Sequence, residues 1–205
     1  MTFVKVCGMT RAADAQEAAR HGANAVGFVF WPGSARYVDP DRAADIVGSL
    51  PAGVHSVGVF VNQPAREIER IAARTGISMI QLHGDESASH AADLPFPVIK
   101  ATSLDAAGAT LDEWPEDVVV LLDVHDPVRR GGTGVRIDWT RAAAVAARRR
   151  VVLAGGLTPD NVREAIEAVR PYGVDVSSGV EDSPGIKSVD KMVRFLRNVR
   201  GVSLG

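Results

Sequence analysis

Two side chains that could carry acid–base chemistry stand at the ends of short apolar runs. Cys7 ends the run at residues 3–7, and Asp123 ends the run at residues 118–123. A cysteine thiolate can act as a general base or a nucleophile. Partial burial raises the pKa of a carboxyl towards neutrality, because it disfavours the charged form, and such a carboxyl suits a general acid. The alternative interpretations are that Cys7 is a small core hydrophobe and that Asp123 pins a loop.

Two further runs, at residues 151–154 and 174–176, end in small residues that leave backbone amides bare. The small residues concerned are Gly155, Gly156, Ser178 and Gly179. Bare N–H groups at strand ends suit an anion, of which phosphate is the common one. The pattern therefore predicts a phosphate site, with ordinary tight turns as the alternative. Thr158 and Pro159 then predict the start of a helix that continues over residues 161–169.

Other polar residues fall near the ends of the apolar runs. Arg36 lies in a loop, and its planar guanidinium suits a carboxylate held by two hydrogen bonds, although a solvated loop arginine is the alternative. Lys100 could form a Schiff base if it were desolvated, but structural pairing is favoured. The remaining residues are Asn62, Gln81, His83 and Asp175, of which the last three are possible substrate contacts. No cluster of His, Cys, Asp or Glu has metal-ligand spacing, so no metal is expected.

Apolar, strand-like runs alternate with helical patterns along the chain. The eight runs cover residues 3–7, 25–30, 56–61, 78–82, 98–101, 118–123, 151–154 and 174–176. This alternation favours an α/β fold with a parallel sheet and crossover helices. Eight strand–helix units predict a single (β/α)8 TIM barrel with short loops, and we expect residues 1–205 to form one catalytic domain. Active sites of such barrels lie at the C-terminal ends of the strands, where the reactive residues fall.

A doubly wound open sheet is the alternative architecture. To bind a dinucleotide, it would need a glycine-rich turn with G-x-G-x-x-G spacing after the first strand. Residues 7–10 read CGMT and lack that spacing. The barrel is therefore the favoured fold, with a short helix at residues 86–93, a weak one within 104–114 and a long loop at 125–136.

The composition excludes several classes of protein. The chain has 205 residues, is 46% hydrophobic and 23% charged, and carries a formal net charge of −2. Charges of both signs are interspersed, so neither nucleic acid nor a membrane is an expected partner. No apolar run approaches the ~20 residues that span a bilayer, and no N-terminal secretory signal is evident. The single cysteine cannot form an intrachain disulfide, so we expect a cytoplasmic protein.

An ordered set of motifs resembles that of the phosphoribosylanthranilate isomerases. The motifs are KVCGMT (5–10), GFVFWPGSARYV (27–38), VGVFVN (57–62), IQLHG (80–84), LLD (121–123), GGTG and DW (131–134 and 138–139), LAGGLTPDNV (153–162) and DVSSGVEDSPGIK (175–187). The resemblance implies that Cys7 is the general base, Asp123 the general acid and Arg36 the residue that binds the anthranilate carboxylate. It also implies that the backbones of Gly155-Gly156 and Ser178-Gly179 bind phosphate. Asp126 is the alternative acid.

The same resemblance implies an isomerase of tryptophan biosynthesis. N-(5-phosphoribosyl)anthranilate would undergo an Amadori rearrangement to 1-(2-carboxyphenylamino)-1-deoxyribulose 5-phosphate. An acid protonates the furanose ring oxygen and a base removes a proton from C2, so no cofactor is expected. Because a free thiol is mostly protonated at neutral pH, we expect positive potential to lower the pKa of Cys7.

Two other functions are weighed against this one. An isomerase that also accepts the aminoaldose of histidine biosynthesis would resemble this fold, but such enzymes use a pair of aspartates, and Cys7 argues against it. A barrel that binds a phosphosugar without converting it is the alternative outside enzymes. The expected partner is a small-molecule phosphosugar, and the short loops are compatible with a monomer or a homodimer.

Overall fold

A computed structural model describes residues 2–123 and 137–202, and only the backbone of residues 108–110. Eight parallel strands form a closed barrel in sequence order. They are β1 (Phe3–Val6), β2 (Ala25–Val29), β3 (His55–Phe60), β4 (Met79–Leu82), β5 (Val98–Ser103), β6 (Val119–Asp123), β7 (Val151–Leu153) and β8 (Gly173–Val176). Pairing of β1 with β8 closes the barrel and places Lys5 opposite Asp175. The predicted (β/α)8 barrel is confirmed, and the open sheet is wrong.

The helices of the described residues follow the strands in turn. They are α1 (Ala12–Arg20), α2 (Pro40–Gly48), α3 (Ala65–Thr75), α4 (Ala88–Ala92), α5 (Leu104–Thr110), α6 (Trp139–Ala146), α7 (Val162–Val169) and α8 (Val189–Arg200). A 3-10 turn, Leu111–Glu113, extends α5. Within the same residues, every helix is too short or too polar to traverse a bilayer.

The local sequence explains where these helices begin and end. In α3, Ile68, Ile71 and Ala72 recur at helical spacing and are buried, so one face of the helix packs on the barrel. Gly76 ends α3 in the left-handed conformation, which glycine adopts without strain. Before α7, the amides of residues 161 and 162 both donate to the carbonyl of Thr158, so Thr158 opens a turn and the regular helix begins at Val162.

Strand alternation divides the core into two layers. One apolar cluster contains only residues of the strands and Ala154, and it fills the barrel interior, while a larger cluster joins the strands to the helices. On β5, Ile99 and Ala101 belong to the interior cluster. Successive side chains of a strand point to opposite faces, so Lys100, which stands between them, points out towards the helices.

A short hairpin follows the barrel strands and was not predicted. After a 3-10 turn at Ser178–Val180, strand β9 (Glu181–Ser183) pairs antiparallel with β10 (Ile186–Lys187). Pro184 and Gly185 connect the two strands, and Gly185 has a positive φ of 80°. The hairpin places Glu181 and Lys187, both buried, beside the C-terminal edge of the barrel.

Candidate active site

Cys7 lies immediately after β1, at the C-terminal edge of the barrel. Its amide donates to the carbonyl of Val176 at 2.8 Å, and the residue is only 8% exposed. The thiol packs with Val29 and Val59 in a small cluster at this end of the interior. A Cβ on Gly27 would lie 2.7 Å from the Cys7 sulfur, so glycine at that position is what leaves room for the thiol.

Two buried charges stand close to the thiol. Lys5, on the same strand face two residues earlier, is fully buried, and its Nζ lies 2.9 Å from an Asp175 oxygen. Burial raises the pKa of Cys7, and the positive charges of Lys5 and Lys187 oppose that rise without cancelling it. The expected net lowering of the Cys7 pKa is therefore wrong: the nearby cations do lower it, but desolvation of the thiolate outweighs them.

Asp123 ends β6 and is joined to a chain of polar side chains from β4. His83 Nε2 lies 3.6 Å from Asp123 Oδ2. The Nδ1 atom of the same ring is 2.8 Å from the side-chain nitrogen of Gln81, which is itself 1% exposed. This arrangement brings the three predicted residues Gln81, His83 and Asp123 together. Asp126, the alternative acid, lies outside the described residues.

The ends of β7 and β8 enclose a small cavity beside Asp123. Its lining is Asp123, Ala154, Gly155, Gly156, Leu157, Asp175, Val176, Ser177 and Ser178. Gly155 and Gly156 both have positive φ, of 76° and 68°. A Cβ on Gly179 would lie 1.9 Å from the Leu157 carbonyl oxygen, so the two loops touch at a point where only glycine fits.

The side chain of Asn161 holds the loop after β7, and the Ser177 hydroxyl near the same cavity lacks a hydrogen bond among the described residues. The Asn161 amide group donates to the Gly156 carbonyl at 2.9 Å and accepts from the Thr158 amide at 2.8 Å. The Ser177 hydroxyl oxygen is buried and has no hydrogen-bond partner in the described part of the chain. A buried hydroxyl without a hydrogen bond is costly, so its position in the cavity wall makes it a candidate contact for a polar ligand. Sequence reasoning did not single out Ser177.

Arg36 reaches the same edge of the barrel, but its side chain already holds a carboxylate. Its Nε donates to both oxygens of Glu181 at 3.0 and 3.2 Å, and its Nη2 donates to Oε2 at 2.8 Å. Lys187 Nζ lies 2.7 Å from the other side of that carboxylate. Burial works against the Glu181 anion, but the hydrogen bonds from Arg36 and the charge of Lys187 outweigh it and lower its pKa.

Sequence reasoning missed Glu181 and Lys187. The available signal was the Pro184-Gly185 pair between two short segments, which is typical of a tight turn in a hairpin. Burial lowers the pKa of Lys187. The charge of Glu181 opposes this lowering but does not cancel it.

Two other residues named from the sequence lie away from this cluster. Lys100 Nζ contacts Glu86 at 2.9 Å and the Gly84 carbonyl at 2.7 Å, which agrees with the favoured structural pairing. Asn62 has a positive φ of 57°, and its side-chain oxygen accepts from the Asp85 amide at 2.7 Å. Both residues fix loops. Within residues 2–123 and 137–202, no three His, Cys, Asp or Glu side chains converge in a way that could hold a metal ion.

Comparison with known proteins gives the chain a family. The model of the N-(5'-phosphoribosyl)anthranilate (PRA) isomerase family matches residues 4–198. The chain is 46% identical over 202 residues to N-(5'-phosphoribosyl)anthranilate isomerase of Geobacter metallireducens, covering 98% of this chain and 100% of the relative.

Two solved structures have the same architecture. One shows monomers generated from the dimeric phosphoribosylanthranilate isomerase of Thermotoga maritima, with a TM-score of 0.88, 38% identity, and coverage of 98% of this chain and 100% of that one. The other is a phosphoribosylanthranilate isomerase in complex with reduced 1-(o-carboxyphenylamino)-1-deoxyribulose 5-phosphate, with the same TM-score of 0.88, 38% identity and the same coverage of 98% and 100%. By family match and by full-length identity, the chain belongs to the phosphoribosylanthranilate isomerase family.

Proposed function

We propose that this protein catalyses the Amadori rearrangement of N-(5-phosphoribosyl)anthranilate to 1-(2-carboxyphenylamino)-1-deoxyribulose 5-phosphate in tryptophan biosynthesis. The observation that carries the proposal is the common location of its acid and its base. Cys7 follows β1 and Asp123 ends β6, so both stand at the C-terminal edge of one closed barrel. Asp123 lines the cavity between β7 and β8, and the Cys7 amide donates to the carbonyl of Val176, another residue of that lining. The family relative that binds the reduced product supports the choice of substrate.

Asp123 acts first, as the general acid. It gives its proton to the furanose ring oxygen while the nitrogen lone pair forms a double bond to C1. The C1–O bond breaks, its electron pair stays on the oxygen, and the ring opens to a protonated Schiff base. The chain of Gln81 and His83 behind Asp123 orients the carboxyl for this transfer.

Cys7 acts second, as the general base. Its thiolate takes the proton from C2, the C2–H electron pair forms the C1–C2 double bond, and the C1–N electrons return to nitrogen. The resulting enolamine tautomerises to the C2 ketone, and no atom is lost or gained. Burial raises the pKa of the thiol, and the charge of Lys5, which Asp175 holds in place, opposes this rise more than that of Lys187. Asp175 thus serves the site through Lys5.

Backbone amides and Arg36 fix the two ends of the substrate. The phosphate binds at the strand ends that carry Gly155, Gly156, Ser178 and Gly179. The unpaired Ser177 hydroxyl in the same cavity wall supports an acceptor-rich ligand there. Arg36 binds the anthranilate carboxylate, which leaves the reacting C1 and C2 between Cys7 and Asp123.

We propose further that residues 1–205 form one catalytic domain that works in the cytoplasm on a small-molecule phosphosugar. The monomer or homodimer expected from the sequence stays a prediction, with the dimeric Thermotoga maritima relative as its support for the second form.

The test follows the loss of phosphoribosylanthranilate fluorescence with wild type, Cys7→Ser and Asp123→Asn. Removing a general acid or base costs typically about 10²- to 10⁴-fold, so we expect a fall of that size in kcat for each variant. Equal rates in all three proteins would remove the mechanism. Wild type without turnover would favour a phosphosugar-binding barrel, and comparable turnover of the histidine-pathway aminoaldose would favour a dual-substrate isomerase.

A further inference from the structure

Arg36 belongs to a buried chain of three charges. Glu181 lies between the Arg36 guanidinium and the Lys187 ammonium, and the Arg36 and Glu181 side chains are 16% and 4% exposed. A third donor, the Gly185 amide, reaches the same Glu181 oxygen as Lys187 at 3.2 Å. With three sets of donors around it, the Glu181 carboxylate is fixed in the protein and does not compete as a mobile anion for the substrate's place.

The contact with Glu181 leaves one edge of the guanidinium free to bind a second carboxylate. Arg36 uses its Nε and Nη2 atoms on Glu181, and within the described part of the chain its Nη1 donates no hydrogen bond. A guanidinium has five N–H donors in a fixed plane, so the Nη1–Nη2 edge presents another fork of the same kind. Glu181 therefore sets the direction in which that second fork points.

The position of Arg36 ties this fork to the base. A Cβ on Gly8 would lie 2.7 Å from Arg36 Cδ, so the arginine packs on the residue that follows Cys7. Lys187, on the far side of Glu181, donates to the Cys7 carbonyl. The three charges sum to one net positive charge, which suits a ligand carboxylate held next to the thiol.

We propose that Glu181 is a positioning residue that aims Arg36 at the ortho-carboxylate of an N-aryl aminosugar phosphate and so sets the enzyme's preference for carboxylated substrates. The inference rests on the proposed function. Glu181 does not touch the reacting atoms in this scheme, because its oxygens are occupied by Arg36, Lys187 and the Gly185 amide.

The experiment compares Glu181→Gln with wild type on two substrates. One is phosphoribosylanthranilate, and the other is the analogue made from ribose 5-phosphate and aniline, which has no carboxylate. For the first substrate we expect KM to rise about tenfold or more, since a charge-assisted fork is lost, with a smaller change in kcat. For the aniline analogue we expect kcat/KM of the variant to stay within about twofold of wild type, because no carboxylate needs Arg36.

Asp182→Asn is the matched control, since it removes a carboxylate from the neighbouring position of the same hairpin. The Asp182 side chain is 61% exposed, and among the ion pairs of the described residues it contacts only Lys191. We therefore expect the KM of the Asp182→Asn variant to equal that of wild type. Equal loss of Glu181→Gln on both substrates would overturn the proposal in favour of general structural damage. No loss on either substrate would overturn it directly, whereas wild type without activity would defeat the proposed function itself.

A second variant guards against a folding failure. Replacing Glu181 alone leaves Lys187 as an unpaired buried charge, which is strongly destabilising in general. The double variant Glu181→Gln with Lys187→Met removes both partners. Like Glu181→Gln alone, it should lose activity on phosphoribosylanthranilate more than on the aniline analogue. A double variant that discriminates between the two substrates as well as wild type does would overturn the inference.

Discussion

In the proposed mechanism, the charge next to Cys7 decides at which pH that residue can act as a base. Burial raises its pKa, and the Lys5 ammonium is the first of the groups that hold the rise in check. Although burial also works against Lys5, the charges of Asp175 and Cys7 raise the pKa of this lysine, so it remains an ammonium. The thiol and the ammonium therefore form one electrostatic unit, built from Lys5 on β1 and Cys7 directly after it.

Replacing Lys5 with Met tests this unit. The lysine lowers the pKa of Cys7, so its removal should raise that pKa further and move the acidic limb of the kcat/KM profile to higher pH. The measurement is a pH–rate profile for the folded enzyme, with exposed Lys191→Met as the control, because its side chain is 44% exposed. An acidic limb at the wild-type pH would show that Lys5 has no such role.

At the scale of single elements, the loops after β7 and β8 are aligned by a glycine contact. We expect Gly179→Ala to push these loops apart, because its Cβ would overlap the Leu157 carbonyl oxygen at 1.9 Å. A displacement of about 1 Å can cost about 10²-fold in catalysis, so we expect kcat/KM to fall by about 10- to 100-fold.

Two measurements test this variant: substrate kinetics, and calorimetry of inorganic phosphate binding. We expect kcat/KM and phosphate affinity to fall together. Gly48→Ala is the control, since a Cβ at this last residue of α2 meets nothing within 4 Å. Phosphate affinity equal to wild type in Gly179→Ala would contradict the proposed phosphate site.

The loop between β4 and α4 depends on a different pair. Lys100 and Glu86 have side chains that are 6% and 2% exposed, and loss of one partner leaves the other as a buried unpaired charge. Lys100→Met should lower the free energy of unfolding by about 3 kcal/mol or more, as is typical of a broken buried pair. Urea denaturation gives that value, and kcat of the folded variant should remain near wild type. Loss of kcat without loss of stability would return Lys100 to the active site.

On the scale of the whole molecule, Glu181 makes stability depend on pH. Its pKa is lowered in the folded protein, so the native state holds this carboxylate ionised where the unfolded chain would bind a proton. The resulting stabilisation is complete above the ordinary glutamate pKa of about 4.3 and is lost as pH falls through the lower folded value.

Urea midpoints measured between about pH 7 and pH 3 test this dependence. Wild type should lose more stability over the acid part of that range than Glu181→Gln, which cannot titrate at this position. Asp182→Asn should follow wild type. Parallel curves for wild type and Glu181→Gln would show that the buried ion chain does not govern acid unfolding.

The sequence by itself determined the architecture and placed the proposed site residues at one edge of the barrel. Alternating apolar runs and helical patterns predicted eight strand–helix units, because hydrophobic periodicity is local information. The same runs marked Asp123, which is the last residue of β6, Cys7, which directly follows β1, and the glycines that come shortly after β7 and β8. Helix ends shifted by a residue or two, as at Val162, because they depend on how the first turn is capped.

Only the tertiary structure decided how those residues are charged and paired. Lys5 meets Asp175 because barrel closure joins the first strand to the last, and Arg36 meets Glu181 because a hairpin folds back over the same edge. Local patterns carry no record of such partners, which are separated by 170 and 145 residues. For the same reason the direction of the Cys7 pKa shift was wrong from sequence: it depends on how burial balances against Lys5 and the sequence-distant charges of Asp175 and Lys187, which come together only once the chain has closed on itself.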